Sequence, residues 1–352
     1  MLPGNSNNSY LVRIFLPFFL AILMGLCIDI LIGVTGPGAA YSTGGYGFPN
    51  PNLDHKFPLF FKDIAEGNVP DVIFVGNSMA NHDLCPKSFS AGFAETGGGS
   101  PRCFNLSSSG MNRIKIKELL RIIRNSAGNV LVVWGCYFID FRDLDYKSEQ
   151  VPLSANDWLR YRLGKWNLRG WLTEHSRLIR VFNLLRLRLE FPSSWKRHRT
   201  FSSFQQENGY FLRNLKPEDK VTDRFIEKKK RGLQKMNIPG DLTQRLADTL
   251  QHEKQADVFM AILPIHREMI TMMKEQGMNP ALETNLLIEA CQHLRYSVVG
   301  PPEQMAVTDS YWKDFNHMNH PGAKKYSYWL GRHVGARYKL IRAAPAASGG
   351  KR

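Results

Sequence analysis

The chain runs to 352 residues, 43% of them hydrophobic, enough to bury one large α/β core. Its formal net charge of +15 attracts polyanions. Nucleic acid is nevertheless a poor partner, because no nucleic-acid motif accompanies the charge and an export-type apolar segment opens the chain; anionic lipid headgroups or an acidic envelope polysaccharide fit better. The five scattered cysteines form no CxxC or His-Cys cluster at metal-site spacing, so neither a metal nor another cofactor is expected.

From Ile14 to Ile28 the sequence is almost wholly apolar, and after Asp29 it resumes through Ile30 to Val34. That is about the twenty residues a bilayer span requires. The small residues Gly36 to Ala40 would suit a cleaved signal peptide, but the apolar run is longer than a usual signal core, which favours an uncleaved anchor over residues 1–35. Arg13 alone specifies a cytoplasmic N-terminus. Residues 36–70 begin rich in glycine and proline and read as a flexible stalk.

The segment Asp71–Gly76 is a short apolar run rich in β-branched residues, which reads as a buried parallel strand with Ser78 just beyond its carboxyl end. A lone serine there is more often the cap of the next helix than a nucleophile. A helix around Pro86 to Ala94 and a glycine turn at 97–99 lead to a second strand at 102–106. The helix Arg113 to Ser126 turns Ile114, Ile116, Leu119, Leu120, Ile122 and Ile123 toward a sheet, with Lys115, Lys117, Arg121 and Arg124 facing out. Further strands follow at 130–134, 257–263 and 296–299, with a helix at 280–293 before the last. Strands alternating with helices predict an α/β fold, a three-layer sandwich with a mostly parallel five-stranded sheet.

An insertion at about 138–255 interrupts this order. Between Ser176 and Leu189 it carries eight apolar residues among Arg177, Arg180, Arg186 and Arg188. This stretch suits a basic amphipathic helix on an anionic membrane. The apolar positions wrap more than one face, however, which favours a helix buried against the domain with arginines at its rim. Residues 338–352 read as a basic, disordered tail. Cys85 and Cys103 could pair if the domain is extracytoplasmic, although buried free thiols are the commoner state.

Near the end, Asp314 and His317 stand three apart. In a turn at the lip of a sheet the carboxylate accepts from Nδ1–H of the imidazole, leaving Nε2 to take a proton from a serine hydroxyl. Asn319 and Pro321 then mark a helix start.

Gly76-Asn77-Ser78, Gly110 after the strand Cys103-Phe104-Asn105-Leu106, and Asp314-x-x-His317-Met-Asn-x-x-Gly-Ala resemble blocks I, II and V of the SGNH (GDSL-like) hydrolase superfamily. They are most similar to its membrane-anchored bacterial branch, related to envelope polysaccharide O-acetylation proteins. The resemblance covers about 71–337 and implies a flavodoxin-like catalytic domain. It implies Ser78 as nucleophile, His317 as general base, Asp314 as its orienter, and the N–H groups of Ser78 and Gly110 as oxyanion donors. Asn77 stands where an aspartate is usual. Block III normally supplies an asparagine as third oxyanion donor, but here the third strand ends in Gly135-Cys136-Tyr137-Phe138. Asn112 could substitute, or could simply cap the helix from Arg113. His266, after the fourth strand, is either a substrate-cleft residue or an N-cap. What the resemblance implies is a serine esterase or O-acyltransferase, single-pass in the bacterial cell membrane with its domain outside. It would act on an ester, such as acetyl, of an envelope glycan, with a membrane acyl-donor protein as a further partner. The competing expectation is a catalytically weak or inactive glycan-binding or assembly protein of the same fold.

Overall fold

The computed structural model of the chain describes residues 44–141, 152–191 and 240–343, apart from 255–256, 304 and 306–307, together with parts of 16–31, 206–211 and 226–233. The chain divides into two compact units. One comprises Met1–His55 with Asn156–Ser203, the other Lys56–Ala155 with Phe204–Arg352. Sequence spacing suggests instead one domain with an insertion; the difference arises because the insertion's helices pack with residues before the first strand.

The second unit is built on a sheet of five strands, all parallel, in the order β2-β1-β3-β6-β7: β1 Val72–Gly76, β2 Cys103–Asn105, β3 Leu131–Cys136, β6 Val258–Ile262 and β7 Ser297–Val299. The short hairpin β4 Gln206–Glu207 and β5 Tyr210–Phe211 stands apart from it. Every residue of β1, β3 and β6 is buried, so helices cover both faces, as parallel sheets of Val, Ile and Phe require. The covering helices include α3 Pro86–Phe93, α4 Arg113–Ala127, α8 Leu242–Leu250, α10 Pro280–His293 and the long closing helix α11 His320–Ala343. The predicted strands and the helices from Arg113 and Pro280 therefore stand in the structure, and the sheet is wholly rather than mostly parallel; Ile114, expected to face the sheet, is exposed because it falls on the side of its helix opposite Ile116 and Leu120.

The chain leaves β1 on one side toward β2 and later returns on the other side at β3. The carboxyl ends of β1 and β3 thus flank the switch point where open α/β sheets hold ligands. Gly76 ends β1 with φ +151°, and a Cβ there would lie 2.3 Å from the carbonyl oxygen of its register partner Gly135. Only glycine allows the six-residue helix α2, Ser78–Asp83, to begin so close to the sheet edge.

α11 is locked to the same edge. Its Tyr326 hydroxyl donates to the Ile262 carbonyl at the end of β6, and its Ser327 hydroxyl donates to the Asp83 carbonyl while accepting from the Cys85 N–H. Gly331 lets α11 approach α3, since a Cβ there would meet the Phe89 carbonyl oxygen at 2.1 Å.

The first unit contains α5 Asp157–Arg162, α6 Leu168–His175 and α7 Arg177–Glu190. Residues 44–55 pack with them. Tyr46 and Phe48 lie against Trp158, the Asp54 carboxylate accepts from Gly45 and Phe48 N–H, and Asn183 donates to the Gly45 carbonyl. The expected flexible stalk of 36–70 is therefore corrected from residue 44 onward. Helix α1, Pro51–Ala65, occupies most of it and buries Leu53, Phe57 and Phe60. Glycine and proline composition outweighed these spaced apolar residues in the sequence reading.

The expected anchor over 1–35 lies largely outside the described residues, and no helix among the described residues is long and apolar enough to cross a membrane. The tail expectation also changes, because α11 continues to Ala343 and only 344–352 lie outside the described residues. Cys85 and Cys103 are both buried, free thiols.

Candidate active site

Ser78 is the first residue of α2, so its main-chain N–H faces out of the helix start without an intrahelical acceptor. Asn77 caps the helix, its Oδ1 accepting from Met79 N–H at 2.7 Å. Sequence alone left Ser78 open as the cap; that role belongs to Asn77.

The loop that carries His317 gains its shape from its own carboxylate. Asp314 Oδ1 accepts the N–H groups of Asn316 (2.8 Å) and His317 (3.0 Å), closing an Asx-type turn. An isolated bridge between Trp312 and Met318 and the bond from Lys313 N–H to the His317 carbonyl close the loop's neck. Asn319 then caps α11, as its side chain accepts from Gly322 N–H.

Folding brings the three separated residues into one line. His317 Nδ1 lies 2.9 Å from both Asp314 oxygens, and its Nε2 lies 3.0 Å from Ser78 Oγ. With Nδ1–H donated to the carboxylate, Nε2 presents its lone pair to the serine hydroxyl, which is the arrangement a nucleophile, base and orienting carboxylate require. The group is part-buried, so it can meet a substrate while its hydrogen bonds are partly shielded from water.

The other expected residues are placed as follows. Gly110 is exposed with φ +74°, in the loop whose Ser108 N–H bonds the Gly76 carbonyl at the end of β1. Asn112 caps α4, its Oδ1 accepting from Lys115 N–H at 3.0 Å. His266 caps α9, Arg267–Glu275. Its Nδ1 accepts from Glu268 N–H, and its Nε2 donates to Asp309 at 3.0 Å, so both ring nitrogens are engaged. That geometry matches its N-cap reading. Among the described residues no group of three or more His, Cys, Asp or Glu side chains gathers as metal ligands would.

Three further residues support the site: Asp140 and Lys56, which the sequence does not single out, and Asp83, to which the sequence assigns no role. Asp140, just past β3, accepts from Asn77 Nδ2 with one oxygen and from Tyr137 N–H with the other. It holds the turn after β3 against Asn77, the residue beside Ser78. Asp83, at the far end of α2, is fully buried and accepts Met318 N–H at 2.9 Å. Lys56 is also fully buried, and its Nζ donates to Asn81 Oδ1 in α2 and to the Ser107 carbonyl in the loop after β2, both at 2.6 Å. Burial pushes the Asp83 carboxyl well above the usual carboxylate range and the Lys56 amine well below the usual lysine range. His82 stands edge-on to His317, ring centres 5.0 Å apart. A signal existed for Asp83, an acid five residues past the serine on its own helix, but nothing in residue type distinguishes a buried lysine from a solvated one.

No protein-family model matches this chain, and no curated protein matches it in sequence.

Proposed function

We propose that this protein is a serine esterase or O-acyltransferase of SGNH type. Its Ser78 takes an acyl group, in our reading acetyl, from or to an ester of a cell-envelope glycan. The observation that carries this reading is the continuous line Asp314–His317–Ser78 with its contacts of 2.9 and 3.0 Å. Ser78 Oγ attacks the acyl carbon while His317 Nε2 takes its proton. His317 then returns that proton to the leaving oxygen, and Asp314 stabilises the transient imidazolium. The resulting acyl-enzyme is resolved by water in an esterase or by a sugar hydroxyl in a transferase. The N–H groups of Ser78 and Gly110 are the proposed oxyanion donors. The order of the blocks and the turn at Asp314–His317 support an SGNH-like catalytic domain. The apolar N-terminal run supports a single-pass anchor in a bacterial cell membrane, with the domain outside and a membrane acyl-donor protein as one source of acyl groups.

A second reading, a weakly active or inactive glycan-binding protein, is favoured by one observation: Asn112 is engaged as a helix cap and Tyr137 follows β3, so neither supplies the usual third, side-chain oxyanion donor. Loss of one such donor costs about two to three powers of ten in rate.

One experiment separates them. The detergent-solubilised full chain should be labelled at Ser78 by a fluorophosphonate and should hydrolyse an activated acetyl ester, with Ser78→Ala reducing turnover by at least about a hundredfold. Absence of labelling in a folded sample, or full turnover by the alanine variant, supports the binding-protein reading instead.

A further inference from the structure

Helix α7 carries two apolar stripes, and among the described residues only one of them is buried inside its unit. Asn183, Leu184 and Leu187 are buried, and Arg180 on that side reaches the Tyr46 hydroxyl at 2.6 Å. The other stripe is Leu178, Phe182, Leu185 and Leu189, spaced four, three and four residues apart, as on one face of a helix. Phe182 is 57% exposed, Leu185 43% and Leu189 81%, so this stripe faces away from the unit's own core. At about 100° per residue, Arg186 falls on one flank and Arg177 and Arg188 on the other. Against four arginines the helix has the single acid Glu190, which pairs with Arg186. Trp166, 74% exposed, and Trp171 add aromatic surface in the same unit.

The start of this helix is joined to the apolar N-terminal segment. Asp29 Oδ1 accepts from Leu178 N–H at 2.6 Å and from the Ser176 hydroxyl at 3.0 Å. Asp29 thus serves as the anion at the α7 N-terminus, where the helix dipole favours it. The segment it belongs to exposes Phe19, Leu20, Leu23 and Met24.

We propose that the outer stripe of α7 lies in the headgroup and upper acyl layer of an anionic bilayer, beside the point where the N-terminal segment enters it. An exposed apolar stripe rimmed by arginines on both flanks, with tryptophans nearby, is the physical signature of an interfacial helix. A second copy of the chain fits worse, because a two-fold pairing of this face sets the arginine rims against each other, whereas anionic headgroups neutralise them. Each arginine adds about fivefold to partitioning near an anionic surface. The inference does not depend on the chemistry of Ser78.

The test uses the full chain reconstituted in vesicles. Phe182→Trp adds one tryptophan to the exposed stripe, where the fold tolerates it. Lipids brominated in the acyl chain should quench most of that added emission when the vesicles contain phosphatidylglycerol. The triple change Arg177→Gln, Arg186→Gln, Arg188→Gln in the same background should restore it. Added emission untouched by brominated lipid overturns the proposal. Equal quenching in purely zwitterionic vesicles, or in the triple variant, overturns the anionic-lipid part. Efficient Phe182→Cys cross-linking between chains in the same vesicles, with no quenching of the tryptophan variant, assigns the stripe to a second copy.

Discussion

Asp83 accepts the main-chain N–H of Met318, the residue that follows His317, at 2.9 Å. One short helix therefore carries the proposed nucleophile at its first residue and, at its last, the side chain that pins the proposed base loop. Asp83 Oδ2 has no hydrogen-bond partner among the described residues, and the carboxyl is pushed upward chiefly by burial; the Met318 N–H opposes this in part, and the negative charge of Asp314 adds a smaller upward push.

Asp83→Asn should keep the acceptor for Met318 and leave both turnover and its pH profile close to wild type, whereas Asp83→Leu should lower activity by displacing the loop. The stability consequence has a definite sign. Because the folded carboxyl binds its proton more tightly than the unfolded one, its contribution is full below about pH 4 and declines as pH rises toward the folded value. Thermal melts from pH 4 to 8 should therefore fall more steeply for wild type than for Asp83→Asn. Parallel curves would mean that Asp83 is ionised in the folded protein.

Lys56 carries the opposite slope. Its amine is depressed by burial, so the unfolded chain binds the extra proton and stability rises with pH until the unfolded lysine itself titrates, near pH 10. The rise can reach about 1.4 kcal/mol per pH unit. Lys56→Met keeps the volume but removes both donated bonds, to Asn81 and Ser107. Denaturant titrations at pH 7 and pH 9 should show a stability gain in wild type that the methionine variant lacks; equal gains would place a charged lysine in the core.

What could be read from sequence follows the strength of local signals. The runs Val72–Gly76 and Val258–Ile262 are continuous and β-branched or apolar, so their strands were legible, as was the capped start of α11 at Asn319. The Asp314–His317 spacing held its chemistry within four residues, and the turn that joins them is made by Asp314 itself. Lys56 and Asp140 were not legible, because their roles come from partners 25 and 63 residues away that only the fold brings near. The stalk is not legible as packed structure because Tyr46 and Phe48 pack on Trp158, which is more remote still in sequence. The choice between a buried and a membrane-facing α7 presented two options where the helix has two stripes.

Asn77 departs from the aspartate usual in the blocks it resembles, and its partner explains the departure. Its amide donates to Asp140, so Asn77→Asp would set two carboxylates against each other at a part-buried position. Loss of that bond and repulsion between the pair should cost about 1–3 kcal/mol at neutral pH. Adding Asp140→Asn should restore much of it, since an amide at 140 can donate to the new carboxylate. A melt of the four proteins in this cycle checks the coupling, and strictly additive effects would show that the two side chains act independently.

The proposed triad offers the sharpest separation of roles. Asp314→Asn can keep its amide oxygen on the Asn316 and His317 N–H groups, where Oδ1 now sits, which turns its NH2 toward His317 Nδ1 in place of Oδ2. The imidazole must then accept at Nδ1 and carry its proton on Nε2, facing Ser78 with a donor instead of a lone pair. Turnover should fall by about two to four powers of ten with the thermal transition preserved, and His317→Ala should be nearly as damaging as Ser78→Ala. His320 begins α11 with its Nδ1 3.5 Å from the Tyr210 hydroxyl, outside the Asp314–His317–Ser78 line, so His320→Ala should retain activity. Initial rates on an activated acetyl ester for these variants decide the matter: a fully active Asp314→Asn beside a dead His320→Ala would move the base from His317 to His320.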